Sequence, residues 1–307
     1  MKKLIFLFVS IVFFGLSIST QAQVLDPENG PRAWKKENIG QEEAVSLTHI
    51  READVMWSKR IWRTIDLRQK QNLPLYYPVA DSASLGKRSF IQVIYDELVR
   101  SAKNPGPDAL KAYEKYELKT IIPPDIALSK MMKSDTFTSI ADPIDCSTIE
   151  RIETVDFFSK LKPEMFKVKL MEDWFFDKQR SVMDVRILAL AIEFPLYTSK
   201  IETDAICGIS IFGGWDKVPG SADRIWFFYP DLRQLLSENE CFKRHNDAAR
   251  VSFDDIFIKR MFSSYITKEE NVYDRQINEY TSGLDALLEA EKISEKIRDF
   301  EMNLWNY

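Results

Sequence analysis

The chain has 307 residues, 45% of them hydrophobic and 29% charged, with a formal net charge of −5. That length can bury one large core or two ordinary ones, and the acidic balance argues against general nucleic-acid binding. With only two histidines in the chain, His49 and His245, a histidine-rich metal site is excluded.

Lys2 and Lys3 lead into an apolar stretch, Leu4 to Ile18, that turns small and polar at Ser19, Thr20 and Ala22. The stretch falls short of the ~20 apolar residues that a membrane-spanning helix needs. Residues 1–22 therefore read as a secretory signal, cleaved after Ala22 or Gln23. Loss of Lys2 and Lys3 takes Lys plus Arg from 42 to 40 against 47 acidic residues, a mature net charge near −7. Residues 23–41 read as an extended arm broken by Pro27, Gly30 and Pro31, either disordered or pinned to a partner. No later segment is apolar enough to span, so a periplasmic chain with no direct membrane span is expected.

Residues 42–145 read as a helical region. Ile50, Ala53, Trp57, Ile61 and Ile65 recur at three- and four-residue steps, as on one face of a helix from Glu42 to Gln71. On that helix Val55, Lys59, Trp62 and Arg63 form a candidate partner-binding face, since exposed Trp and Arg are over-represented at interface hot spots. A second packed layer of the same domain would cover Trp62 equally well. Ser89 with Gln92 marks the start of a helix carrying Phe90, Ile94 and Leu98, closed by Asn104, Pro105, Gly106 and Pro107. A short helix is expected from Asp108 to Tyr116. The stretch from Ser134 to Thr148, rich in Asp, Ser, Thr and Pro, reads as a domain boundary or a surface excursion.

Residues 146–307 read as an α+β region with a long C-terminal helix. Arg180 to Ile192 alternates as a strand, with Met183, Val185, Ile187 and Ala189 on one side. Ile209 to Trp215 and Ile225 to Tyr229 read as two more strands, and Gly213, Gly214, Pro219 and Gly220 between them suit a hairpin. Asp231 is placed to cap a short helix. The last third turns helical near Ser252, with Phe257, Met261 and Tyr265 on one face, and a long helix follows Thr267. In that helix Ile277, Thr281, Leu284 and Leu288 form one set and Ile293, Ile297, Phe300 and Leu304 another. The register slips between them, which favours docking on the protein's own core over pairing with a partner helix. The expected fold is α+β: a helical N-terminal half, a mostly antiparallel sheet and C-terminal helices. Cys146, Cys207 and Cys241 are odd in number and far apart, so they make no disulfide framework. A single Cys207–Cys241 bond and isolated core thiols are the alternatives.

Catalytic signatures are sparse. The chain holds no HExxH, GxSxG elbow, Walker loop or GxGxxG, and no enzyme activity, cofactor or metal is expected. Glu172 with Asp173 and Asp254 with Asp255 are the acidic pairs, the latter placed at a helix N-terminus, where the dipole favours negative charge. The run from Glu172 to Asp177 could line a carbohydrate groove, because aromatic faces stack on sugars and carboxylates cleave them. A periplasmic carbohydrate-binding protein or glycoside-active enzyme is thus the alternative function.

Three long segments carry a resemblance. They are Ala53 to Pro78, Glu172 to Ile187 and Phe253 to Tyr280, reading Asp-Val-Met-Trp-Ser-Lys-Arg-Ile-Trp-Arg, Glu-Asp-Trp-Phe-Phe-Asp-Lys-Gln-Arg and Phe-Asp-Asp-Ile-Phe in their distinctive parts. In these the chain resembles the GldN or PorN family of Bacteroidetes, proteins of gliding motility and type IX secretion. The resemblance implies a non-enzymatic periplasmic subunit that joins an outer-membrane lipoprotein of the GldK or PorK type in a ring-like complex. It further implies contact with a GldM or PorM protein, self-association in the ring through partners, and export of proteins bearing a C-terminal sorting domain. It supplies no catalytic, cofactor or metal residues to carry over.

Overall fold

Val55–Asp66 is a strand, β1, not the helix that its four-residue spacing suggests. Trp57, Ile61 and Ile65 are an even number of residues apart, so they share one face of a strand as readily as one face of a helix. Ile50 and Ala53, which tip the pattern toward the helical period, lie before the strand, Ala53 within a 3-10 turn, Glu52–Asp54. The computed structural model describes residues 43–78, 87–106, 109–142, 147–156, 167–204, 206–243 and 250–304, all within the compact unit Gly40–Tyr307. The expected signal and arm lie outside these residues.

The remaining strands are β2 (Ala112–Tyr113), β3 (Ile121–Ile122), β4 (Met132–Asp142), β5 (Ser147–Asp156), β6 (Lys167–Asp177), β7 (Val182–Thr203), β8 (Ser210–Phe228) and β9 (Tyr265–Glu269). Between and after them run α1 (Leu73–Tyr76), α2 (Phe90–Lys103), α3 (Pro124–Met131), α4 (Tyr229–Glu238), α5 (Phe253–Ile258), α6 (Ile277–Tyr280) and α7 (Leu284–Leu304). Seven strands form one antiparallel sheet in the order β3-β2-β8-β7-β6-β1-β9. Because β1 lies between β6 and β9, the expected helical region and the expected α+β region share this sheet. Among the described residues the N-terminal half carries α-helix only in α1 to α3, and within the stretch from Asp108 to Tyr116, expected to be helical, Ala112–Tyr113 forms the short strand β2, paired with β8.

Several turns follow directly from local chemistry. Ser89 accepts from Gln92 N at the start of α2. Ser252 and Asp255 form a complete capping box at α5, which explains the acidic pair there without catalysis. The helix expected to start at Asp231 begins two residues earlier, with Pro230 in its first turn. The described parts of the stretch from Ser134 to Thr148, residues 134–142 and 147–148, lie in the paired strands β4 and β5, where Phe137 stacks on Phe212 of β8 at 4.2 Å.

Two expectations around β7 and β8 need correction. The expected hairpin between Ile209–Trp215 and Ile225–Tyr229 does not form: Ser210 to Trp215 and Ile225 to Phe228 belong to one strand, β8, which pairs with β7, and Tyr229 opens α4. Gly213 and Gly214 make a bulge instead of a turn, with Lys200 opposite Gly214 and Ile201 opposite Phe212. Gly214 takes φ +123, and a Cβ on Gly213 would come within 2.5 Å of the Glu202 side chain. A second irregularity, at Leu188, shifts the β6–β7 register between Met171 and Glu172. It changes the phase of β7, so Ala189 leaves the side shared by Ile187, which passes to Leu190 and Ile192.

One sheet face carries Ile65, Val168, Leu170, Leu190, Ile192, Ile225 and Phe227, covered by Phe90, Ile94 and Leu98 of α2, Leu232 and Leu236 of α4, and Phe253 and Phe257 of α5. Tyr229 donates to Asp254 at 2.8 Å beneath this layer, and Arg233 closes the pair at 3.0 Å. Farther along β1, α7 packs Ala290, Ile293 and Ile297 on Ile61 and Ile266, while Phe300 stacks on Trp57 at 4.7 Å. Met261 and Tyr265 do not continue α5: the helix ends at Ile258 and Tyr265 opens β9. Cys241 is a free, buried thiol that burial pushes up to about 11, and Cys207 is disulfide-bonded. The two do not pair, and the third cysteine lies outside the described residues.

The register slip in the C-terminal sequence has a structural counterpart. Ile293 and Ile297 face the core, whereas Leu284, Leu287 and Leu288 are 70%, 57% and 51% exposed. At ~100° per residue the leucines stand about opposite the buried stripe. Replacing Ile293 by Ala should lower the unfolding free energy by about 2–4 kcal/mol, while Leu284→Ala should stay within about 0.5 kcal/mol. Urea midpoints of the two variants check the assignment.

Candidate functional site

Arg63 lies on the helix-covered face of β1, and Glu172 of β6, opposite Ile61, shares that face two residue pairs along the ladder. Glu172 is 0% exposed. It accepts from Arg260 Nη1 at 2.9 Å, from Arg260 Nη2 at 3.2 Å and from Trp174 Nε1 at 3.1 Å. Arg63 Nε approaches the same carboxylate at 3.3 Å. Both guanidinium groups also stand over the Trp174 ring, 5.5 Å from its centroid for Arg63 and 5.2 Å for Arg260. One sealed carboxylate thus serves two cations. Burial holds the Arg63 guanidinium below its usual pKa, against the attraction of Glu172, and the Arg260 charge adds to that shift.

Trp62 points to the opposite sheet face, as successive strand residues must. There it packs with Met171, Ala189, Ala191 and Trp226. It lines a cleft of about 400 Å³ shared with Tyr116, Trp226, Lys169, Arg224 and Lys268. Tyr116 meets Trp62 edge-on at 5.6 Å and Trp226 at 6.2 Å. The Lys268 ammonium lies 4.4 Å from the Trp62 centroid and 4.8 Å from that of Tyr116, a cation over two π faces. It is ion-paired with Asp274, which also accepts from Tyr116 Oη at 3.0 Å. On the floor, Lys169 and Arg224 share Glu193 at 3.2 and 2.6 Å. Burial alone would raise the Glu193 pKa, yet these two cations hold it below the ordinary range.

The four sequence-predicted contact residues therefore do not form one face. Lys59 and Arg63 share one side of β1, Trp62 takes the other, and Val55 lies beyond a bulge that breaks the alternation before Trp57; Lys59 is ion-paired with Glu269 at 2.8 Å, and Trp62 is only 7% exposed. The Glu172–Asp177 run does not form a sugar groove either. Glu172 is sealed, Asp173 is held by Arg60 at 2.7 Å, and Asp177 closes the β6–β7 turn by accepting from Gln179 N and Arg180 Nε. His49 is exposed and precedes β1, whereas His245 lies outside the described residues. Among the described residues no group of three or more His, Cys, Asp or Glu is placed to hold a metal ion. Sequence reasoning missed Arg260, Lys169, Arg224 and Lys268. They come from separate elements, and only the alternation of Trp62 with Arg63 signals that two different sites meet at β1.

Glu172→Gln should cost about 3–5 kcal/mol of stability, because it leaves two guanidinium groups in a half-buried site with no anion; chemical unfolding measures the loss. The depressed pKa of Glu193 gives a pH signature. Its stabilising contribution is present above the unfolded glutamate value, about 4.3, and disappears as pH falls through the lower folded value. The acid-side decline of the unfolding free energy should accordingly be shallower in Glu193→Gln than in the unaltered protein.

Among curated proteins none matches the chain. The family described as gliding motility associated protein GldN matches residues 50–306, a span that holds β1 through α7, the Glu172 cluster and the aromatic cleft. The chain belongs to the GldN family.

Proposed function

We propose that this protein is a periplasmic structural subunit of the type IX secretion system. In this reading it joins an outer-membrane lipoprotein of the GldK or PorK type in a ring-like complex and contacts a GldM or PorM protein. The complex serves release of sorting-domain proteins and gliding. The observation that carries the reading is the family match over residues 50–306. It is supported by the export pattern of Lys2 to Ala22, and among the described residues no helix is long and apolar enough to cross a membrane.

Partner contact needs exposed surface, and the described residue set offers one apolar stripe of that kind on α7. Leu284, Leu287 and Leu288 stand out from the core, and the exposed Glu291 and Glu295 end the apolar stripe with charge on the same side of the helix. Helix stripes of this spacing dock into apolar grooves through residues at i, i+3 and i+4. In the proposal this stripe meets a partner, with Val55 and Lys59 at the sheet margin, while Trp62 and Arg63 hold the sheet from within.

Deleting the gene should abolish release of sorting-domain proteins into the medium, and continued release would refute the reading. Leu287→Glu should fold normally, since the side chain is exposed. It should shift the protein from the large outer-membrane complex toward small species in size fractionation.

A further inference from the structure

We propose that β5 pairs edge to edge and antiparallel with β5 of a second copy of this chain, joining two β4–β5 hairpins into one four-stranded sheet. β5 runs for ten residues, Ser147–Asp156, and among the described residues its strand partner is β4 alone. The strands that end the larger sheet are shorter, β3 with two residues and β9 with five. A strand edge leaves N–H and C=O groups unpaired, and proteins guard such edges with lysine, proline, a bulge or brevity. β5 carries neither lysine nor proline, and the irregularity between Ile140 and Asp142 adds its extra residue to β4.

One face of the hairpin is anchored through Phe137, which meets Phe212 and Trp215 of β8. Phe137 stands opposite Arg151, so Ile152, opposite Thr136, falls on the face turned away from that anchor. Residues 147–152 are exposed, with Ile149 at 46% and Ile152 at 69%. Two strands make a marginal sheet, and a third and fourth with an apolar side give it stability.

The charge pattern of the strand identifies a second copy as the occupant. Two antiparallel copies related by a two-fold axis place one residue opposite itself, and every other pair follows from that choice. With Ile152 on the axis, residues 148–156 pair: Arg151 stands opposite Glu153 twice, and Ile149 stands opposite Val155 twice. An axis at Glu150, Arg151 or Glu153 sets like charges face to face, which is destabilising, whereas opposite charges and apolar pairs stabilise. An axis nearer either end leaves half the strand or more unpaired. Backbone hydrogen bonds then supply affinity, and the alternating side chains supply register. This contact is direct, unlike the association through partners in the proposed ring, and it rests on strand geometry and charge instead of the secretion role.

The test is oxidative cross-linking of the purified full chain. At the axis the two Ile152 Cα atoms stand about 5 Å apart, within disulfide reach, whereas the two Glu150 Cα atoms stand more than about 12 Å apart. Ile152→Cys should therefore give a covalent dimer on mild oxidation, and Glu150→Cys should give none beyond the unaltered protein. Both side chains are exposed, so both variants should keep the thermal midpoint of the unaltered protein. Light scattering should show a dimer at about 100 µM that dissociates on dilution, because the contact is smaller than the ~800 Å² per partner of a standard interface. Arg151→Glu should weaken it about tenfold, and the exchange of Arg151→Glu with Glu153→Arg in one chain should restore it to within about threefold. A monomer at every concentration, no cross-link at position 152, equal cross-linking at 150 and 152, or an exchange that fails to restore association overturns the proposal.

Discussion

Glu172 accepts hydrogen bonds from Arg260 and Trp174 and is ion-paired with Arg63, in a place where no water reaches it. Its cluster joins β1, β6 and the segment after α5, and it sits where the helix-covered core meets the smaller core under α7. A lone carboxylate there would be expensive to bury, and so would either arginine; only the assembled group is tolerable. That mutual dependence sets the register of β1 against β6 and the approach of Arg260. Asn72 strengthens the same junction by receiving Ser263 N at 2.8 Å and donating to Asp66 O at 2.7 Å. Segments nearly two hundred residues apart are thus tied by charge and by side-chain-to-backbone hydrogen bonds at one corner of the sheet.

From this corner the sheet acquires two unlike faces. On one side, aliphatic and phenylalanine side chains meet helices and make an ordinary core. On the other, Trp62 and Trp226 pack with Tyr116, Lys268 and the Lys169–Glu193–Arg224 group, where rings and charges alternate. Alternation along β1 assigns Arg63 to the first face and Trp62 to the second. The family's secretion role, as proposed, needs a rigid body with outward contact surfaces, and a sheet packed on both sides provides rigidity while α7 presents its leucines outward.

Much of the local structure was legible. The Ser89–Gln92 cap and the proline-glycine stop after α2 were readable because caps and breakers act within four residues of themselves. The strand character of Val182 to Ile192 and the acidic helix start at Asp254 and Asp255 were readable for the same reason. Strand β1 was not, since residues spaced by four satisfy both the helical and the pleated period. Its β6 and β9 partners, more than a hundred residues away, decide between them. The β8 glycines read as a turn, but opposite β7 they form a bulge, and no local signal separates those outcomes. Of the candidate site, Trp62 and Arg63 drew notice in the sequence as part of a contact face, but their company was invisible. Glu172, Arg260, Lys169 and Lys268 reach them only through strand pairing.

The sequence by itself determined the family, through long words of uncommon residues, and the local caps and turns, because each of these is a property of contiguous chain. Tertiary structure alone decided which side of each element is buried, since that depends on partners distant in sequence. It turned an apparent helix face into a strand split between two sites. It also sent the leucines of α7 outward, because the core beneath that helix has room only for the stripe of Ala290, Ile293 and Ile297.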